Sequence, residues 1–322
     1  MKNKPIIIVP GEPNSIFFEI FFKAIRLNNF KTPIVLIGSL KILEEQMKKF
    51  KFKMKLKILN LSNFKSHKLN NNSINIINIK LDKNKNKNFD FSNLYIKNCF
   101  DTAFKILKER LTNKFINGPI NKTKFLNKKY FGITEYIANN FKIKKFGMLI
   151  YNNKLSVSPL TTHLPLNLIS RKITKRLIKE QVFLIDKFYR EKFGFKPKIA
   201  ITGLNPHCES ISKFSEEAKI ITPSVLSLKK SGFKINGPFA ADTIFLKDNR
   251  KKYDVILGMY HDQVLSPIKT LFEYDAINIT LGLPFLRISP DHGPNEKMVG
   301  KNISNPLSLI KAIKFLDKSD KS

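Results

Sequence analysis

Short β-branched runs, each closed by a turn and followed by a segment of helical period, open this chain, and few architectures accept that alternation. Ile6-Ile-Ile-Val9 stops at Pro10-Gly11 and reads as a buried parallel strand. Ser15–Arg26 has helical spacing, with Asn14 or Ser15 as the expected cap and Glu19 in the first turns. Pro33–Gly38 is a second strand and Leu40–Lys49 a second helix. Strand, helix, strand, helix predicts a parallel α/β sheet. The pattern resumes with a helix over roughly Asn93–Thr112 and a strand end at Phe115–Pro119 that delivers Asn121 and Lys122. Farther on come a helix over Ile173–Lys192, a strand over Pro197–Thr202, a helical Ser215–Lys230 bent at Pro223, and strands at Asp254–Gly258 and Ala276–Thr280. Lys51–Asn93 is so dense in Lys, Asn and Ser, notably at Asn70–Ser73 and Asp82–Asn88, that exposed loops around weak strands such as Ile74–Ile79 are expected.

Length and composition narrow the class. With 322 residues, 42% of them hydrophobic, the chain can fill two α/β cores or one large one. The apolar run Pro5–Pro10 is too short for a signal-peptide core or a membrane span, and no other stretch reaches membrane length, so a cytoplasmic protein without membrane partners is expected. Two cysteines make no disulfide framework; Cys208, beside His207, reads as a small buried thiol in preference to a soft metal ligand. The formal charge of +33 is mostly Lys, in company with abundant Asn, Ile and Phe and no Trp. That profile reflects A/T-rich codon bias more than a nucleic-acid surface, and no specific nucleic-acid module is present. The positive field would still draw in an anionic substrate.

Four of the five histidines lie in polar, turn-forming words: Thr161-Thr162-His163, Asn205-Pro206-His207, Tyr260-His261-Asp262 and Asp291-His292-Gly293. Three neutral imidazoles, His163, His207 and His261, suit an open divalent-metal site. They are too far apart for a local finger, so only the fold or a second subunit can gather them. Spacing alone favours the plainer reading, hydrogen-bonding loop histidines. Two of them, however, directly follow predicted strands, and in open α/β sheets ligand groups collect beyond the carboxyl ends of strands.

Five words follow one another in order: Leu155–Leu166 with its Thr-Thr-His, Gly203-Leu-Asn-Pro-His207, Gly237-Pro-Phe-Ala-Ala-Asp-Thr243, Met259-Tyr-His-Asp-Gln263 and Asn278–Phe285. Together they closely resemble the 4-hydroxythreonine-4-phosphate dehydrogenase family, NAD-dependent enzymes of pyridoxal phosphate biosynthesis, from about Pro10 to Gly300. The resemblance implies two α/β/α domains with a central cleft, like isocitrate and isopropylmalate dehydrogenases. One domain would join 1–130 with 290–322, and the other, 131–289, would carry the metal ligands and dimer contacts. It also implies a homodimer with its active site at the interface, where His163, His207 and His261 hold a divalent metal (Zn²⁺ first, with Mg²⁺ or Co²⁺ as alternatives).

By the same resemblance, Thr134, Lys269, Asn278 and Arg287 contact the phosphorylated substrate, and Lys122 lies near the active site. Asp242 and Asp262 are the carboxylates expected nearest the metal, either as acceptors for a bound imidazole or in proton transfer; Asp242 is also readable as a turn cap. His292 suggests an active-site edge or, equally, structural hydrogen bonding. No Gly-x-Gly-x-x-Gly occurs, so NAD would bind without a standard Rossmann loop.

The chain departs from the family at several places. Gly-His-Thr reads Gly132-Ile133-Thr134, so an apolar side chain stands where the family's substrate-contacting histidine is expected. Gly-Asp-Pro-x-Gly-Ile-Gly reads Gly11-Glu-Pro-Asn-Ser-Ile-Phe17, which should hinder close backbone approach. The glycine-rich continuation of Asn-Pro-His is Cys208 followed by Glu209–Lys213, and Asp-His-Gly-Thr-Ala ends as Pro294-Asn295. A sister dehydrogenase of a four-carbon phosphorylated acid, such as phospho-threonate or phospho-erythronate, and a catalytically decayed homologue are the competing readings.

Overall fold

A computed structural model describes residues 4–80, 91–121, 125–126, 130, 132–208, 215–290, 293 and 295–318. Lys122, Asp82–Asn88, Glu209–Lys213, His292 and Pro294 lie outside the described residues. The chain divides into two compact units, one of Met1–Phe141 with Pro284–Ser319, the other of Lys142–Leu283.

In the first unit the chain lays down β1 (Ile6–Val9), β2 (Ile34–Gly38), β3 (Lys55–Leu59), β4 (Ser73–Asn78) and β5 (Lys114–Asn117). The second unit follows with β6 (Gly147–Tyr151), β7 (Ser156–Thr161), β8 (Ile199–Thr202), β9 (Ile235–Phe239), β10 (Val255–Tyr260) and β11 (Ile277–Leu281). The chain then returns to the first unit as β12 (Leu286–Pro290). The first-unit order is β3-β4-β2-β1-β5-β12, and every pairing in it is parallel. Every residue of β1 and β2 is buried, as a parallel strand covered on both faces requires. Helices Phe91–Lys108 and Leu307–Asp317 pack on this sheet, and Phe22 stacks on Phe52 with centroids 4.5 Å apart under the Arg26 guanidinium.

The second unit runs β11-β6-β7-β10-β8-β9. It corrects the expectation of a purely parallel sheet, because β6 is antiparallel to both β11 and β7, while β7, β10, β8 and β9 are mutually parallel. Helix His261–Phe272 packs on β7 and β10, and Lys175–Phe193 on β6, β7 and β11. Ile150, Val157, Ala200, Ile256, Val264 and Ile268 form part of its core.

Several local expectations change. The first helix is Phe17–Leu27 with Ile16 at its cap; Ser15 Oγ instead takes the Phe17 N–H at 3.3 Å and donates to Glu12 O. The Lys- and Asn-rich stretch contains two regular strands: β3 is the more exposed, whereas β4 lies between β3 and β2 with Ile74–Ile77 buried. Within it Asn71 is no loose loop residue, because its amide bonds Phe30 O and Thr32 O and accepts Ile34 N–H, pinning the start of β2. The expected helix is present without a break from Glu217 to Lys230, but its irregularity is a π-helical turn, Glu217–Ile221, that runs directly into Thr222–Lys230 just before Pro223.

Candidate functional site

The four parallel strands of the second unit deliver the predicted metal-site side chains to one sheet edge. In spatial order, β7 ends two residues before His163, β10 ends at Tyr260 with His261 next, β8 leads to His207, and β9 leads to Asp242. The two outer pairs in that order lie close together. The His163 and His261 rings have centroids 6.2 Å apart at 37°, and His207 Nδ1 lies 3.9 Å from Asp242 Oδ2. His261 Nδ1 is 2.6 Å from Asp262 Oδ1. A carboxylate accepting from Nδ1 leaves the Nε2 lone pair for a ligand. Among the described residues of one chain, no group of three His, Cys, Asp or Glu side chains is close enough to hold a metal; these side chains stand as two separate pairs.

The His207 turn is strained and clamped. His207 (φ 56°) and Cys208 (φ 57°) are consecutive left-handed residues, each costing about 1–3 kcal/mol. Opposing that cost, the buried Glu217 accepts Leu204 N–H (2.7 Å) and Asn205 N–H (2.9 Å) on Oε1 and Asn205 Nδ2 (2.8 Å) on Oε2. Burial pushes its carboxyl up, but the Asn205 and Leu204 hydrogen bonds outweigh it and hold the group below the usual range. A depressed carboxylate contributes its stability at neutral pH and loses it as pH falls through the folded value. Glu217→Ala should therefore cost about 1–3 kcal/mol at pH 7 and much less near pH 3, checked by urea melts at the two pH values. Nothing in its spacing from Asn-Pro-His announced this role. Burial pushes the Cys208 thiol up, and the Gly203 backbone opposes this only in part.

In the first unit Arg287, on β12, is 1% exposed. Its Nε donates to Asn117 Oδ1 at 2.8 Å and its guanidinium to Thr134 Oγ1 at 3.2 Å, gathering the end of β5 and the start of helix Ile133–Asn140. Burial lowers its pKa to about 10, partly offset by the charge of Glu135, and leaves it protonated at neutral pH. Elsewhere, Asn278, on β11, is half-buried with an Oδ1 that has no hydrogen-bond partner, and Lys269 is exposed near the end of helix His261–Phe272.

A sequence model of the family described as "Pyridoxal phosphate biosynthetic protein PdxA" matches residues 29–316. The chain belongs to the PdxA family. A 4-hydroxythreonine-4-phosphate dehydrogenase of Sulfurihydrogenibium sp. (strain YO3AOP1) is 36% identical over 323 residues, covering 96% of both chains. One of Aquifex aeolicus is 41% identical over 202 residues, 62% of each. The crystal structure of 4-hydroxythreonine-4-phosphate dehydrogenase from Klebsiella pneumoniae superposes with a TM-score of 0.83 at 27% identity, covering 98% of this chain and 97% of that one.

The departures from the PdxA pattern can now be placed. Close backbone approach near the N-terminal word survives through other glycines: a Cβ on Gly11 (φ 86°) would collide with Pro119 O, and one on Gly118 with Pro10 O. Phe17 is fully buried and stacks on Phe21, filling space in place of a glycine. Glu12 accepts Asn121 N–H (3.0 Å) and Ser92 Oγ–H (2.9 Å), fixing the loop that leads to Lys122. Ile133 is the first residue of the helix that presents Thr134.

Proposed function

We propose that this PdxA-family chain oxidises 4-phosphooxy-L-threonine with NAD⁺ to 2-amino-3-oxo-4-phosphooxybutanoate, which loses CO₂ to give 3-amino-2-oxopropyl phosphate. The observation that carries the reading is the single sheet edge where adjacent parallel strands present His163, His261, His207 and Asp242 in sequence. The donor set suits a divalent ion. Two imidazoles on one Zn²⁺ place their centroids roughly 5 Å apart, close to the 6.2 Å between His163 and His261. When bound, such an ion lowers the pKa of the substrate hydroxyl and the nicotinamide accepts the hydride.

Each residue then has a task. Asp262 holds His261 in the tautomer that offers Nε2, and Glu217 fixes the turn that presents His207. Asp242 is the carboxylate we assign to receive the hydroxyl proton. Arg287 and Thr134 bind an anionic group of the substrate, with Asn278 and Lys269 as further contacts. A homodimer whose two subunits both contribute to the active site completes the reading. Leu166, three residues from His163, is 73% exposed and Leu246, four from Asp242, 58%, apolar surface that a second subunit would cover. Among the described residues no helix is long and apolar enough to cross a membrane.

The test is NADH formation by purified protein with NAD⁺, Zn²⁺ or Co²⁺ and 4-phosphooxy-L-threonine, abolished by a chelator. Turnover of phosphorylated threonate or erythronate instead would transfer the assignment to a sister reaction; silence with all three substrates would sink it. Restoring the family's imidazole with Ile133→His should raise kcat/KM for 4-phosphooxy-L-threonine about 10- to 100-fold, the value of one hydrogen bond to a charged group. An unchanged or lower kcat/KM would show that a neighbour already fills that role.

A further inference from the structure

We infer that Gln263 is a positioning residue that sets the placement of the His207 turn against the His163–His261 pair. Ladder pairing between β10 and β8 runs from Val255↔Ile199 to Leu257↔Ile201. Beyond it, at the edge that carries the histidines, the Gln263 side-chain amide bridges the two strands. Its Oε1 accepts Met259 N–H at 2.7 Å and Thr202 Oγ1–H at 2.8 Å, while its Nε2 donates to Gly203 O at 2.8 Å. On the other side of β10, Thr161 Oγ1 donates to Met259 O at 2.8 Å. Thr161 lies two residues before His163, Met259 two before His261, and Gly203 opens the turn that Glu217 clamps around His207. One continuous hydrogen-bond path therefore joins the three histidine-bearing strand ends, and Gln263 is its central link.

Chemistry restricts this position. The link needs one acceptor for two donors and one donor for a carbonyl, on a side chain long enough to reach from the first turn of a helix to the adjacent strand end. Glu supplies the acceptor but sets a carboxylate against Gly203 O; Asn is a methylene short; Met fills the space and makes none of the three bonds.

The inference rests on the three-histidine metal reading, and Co²⁺ titration of the full-length protein tests both separately. Affinity comes from competition with a chromophoric chelator, and coordination from the visible Co²⁺ spectrum, both well below the melting temperature. Gln263→Met should weaken Co²⁺ binding about tenfold or more and alter the spectrum, in line with the usual effect of residues that orient metal ligands. Gln263→Glu keeps two of the three bonds; it should cost less stability yet still weaken binding, because the lost link is the one to the His207 turn.

Tyr189→Phe removes a buried hydrogen bond to Ser156 Oγ at the opposite end of β7 and serves as the control. It should lower the melting temperature without changing Co²⁺ affinity, as a merely structural role of Gln263 would also do. Both Gln263 variants binding Co²⁺ within about threefold of wild type, with an unchanged spectrum, would overturn the positioning role alone. Wild-type protein with no Co²⁺ affinity would overturn the metal reading and this inference with it.

Discussion

His261→Ala is expected to lower kcat by about three orders of magnitude while leaving the fold intact. His261 follows the last residue of β10 at a sheet edge and is partly exposed, so its truncation opens no core cavity. On the proposed reading, its value lies in the ligand atom that Asp262 prepares. Charge stabilisation by a bound divalent ion is worth several kcal/mol in the transition state, and each 1.36 kcal/mol is a factor of ten, so losing about 4 kcal/mol gives the expected thousandfold. Asp262→Asn should show a smaller loss, about 10- to 100-fold, because an amide no longer enforces the tautomer that leaves Nε2 unprotonated. Steady-state NADH formation, with melting temperature as the control for folding, decides both. A His261→Ala enzyme retaining kcat within tenfold of wild type would remove the metal from the mechanism.

The parts of this architecture that were legible in the sequence are those fixed by local chemistry. Ile6–Val9 and Leu40–Lys49 form the predicted strand and helix because their apolar spacing meets no competing tertiary demand. In the Lys51–Asn93 stretch the expected strand at Ile74–Ile79 is β4, but its burial at Ile74–Ile77 and the neighbouring β3 escaped, because lysine and asparagine dominated the composition. The reversed direction of β6 was equally invisible: strand polarity depends on connections through space, and Gly147–Tyr151 carries the same apolar pattern either way.

That the candidate histidines lie just beyond strand ends was legible from the turn-forming words that hold them. The side chains that hold the neighbouring loops were not. Glu217 and Gln263 act through hydrogen bonds to backbone groups of the loop after β8, and a backbone acceptor or donor has no residue type to recognise. The same asymmetry explains the N-terminal word, where the loss of two expected glycines suggested a blocked approach while Gly11 and Gly118 supply the contact.

Arg287→Met should be the most destabilising single change on the anion-binding side, at about 3–5 kcal/mol, the usual cost of removing one partner from a buried charge network. Its pKa is depressed in the folded state, so burying the cation itself opposes folding at every pH below about 10, and a residue chosen for stability alone would be apolar. The proposed role that offsets this cost is binding of the anionic substrate. Removing it alone nevertheless harms the fold, because Asn117 Oδ1 loses its donor and Glu135, with a buried Oε2 lacking any hydrogen-bond partner, keeps its charge without the nearby cation.

The two effects separate in a double variant. Arg287→Met with Glu135→Gln removes both charges and should recover about half or more of the lost stability, since paired buried charges are often replaceable without net cost. It should not recover substrate binding: KM for 4-phosphooxy-L-threonine should stay at least about tenfold above wild type, the loss expected for a charge-assisted hydrogen bond. Urea denaturation and steady-state kinetics on the single and double variants give the two readouts. A double variant that regained wild-type KM together with its stability would show that Arg287 serves the fold alone, and the substrate's anionic group would then have to be held by other cations.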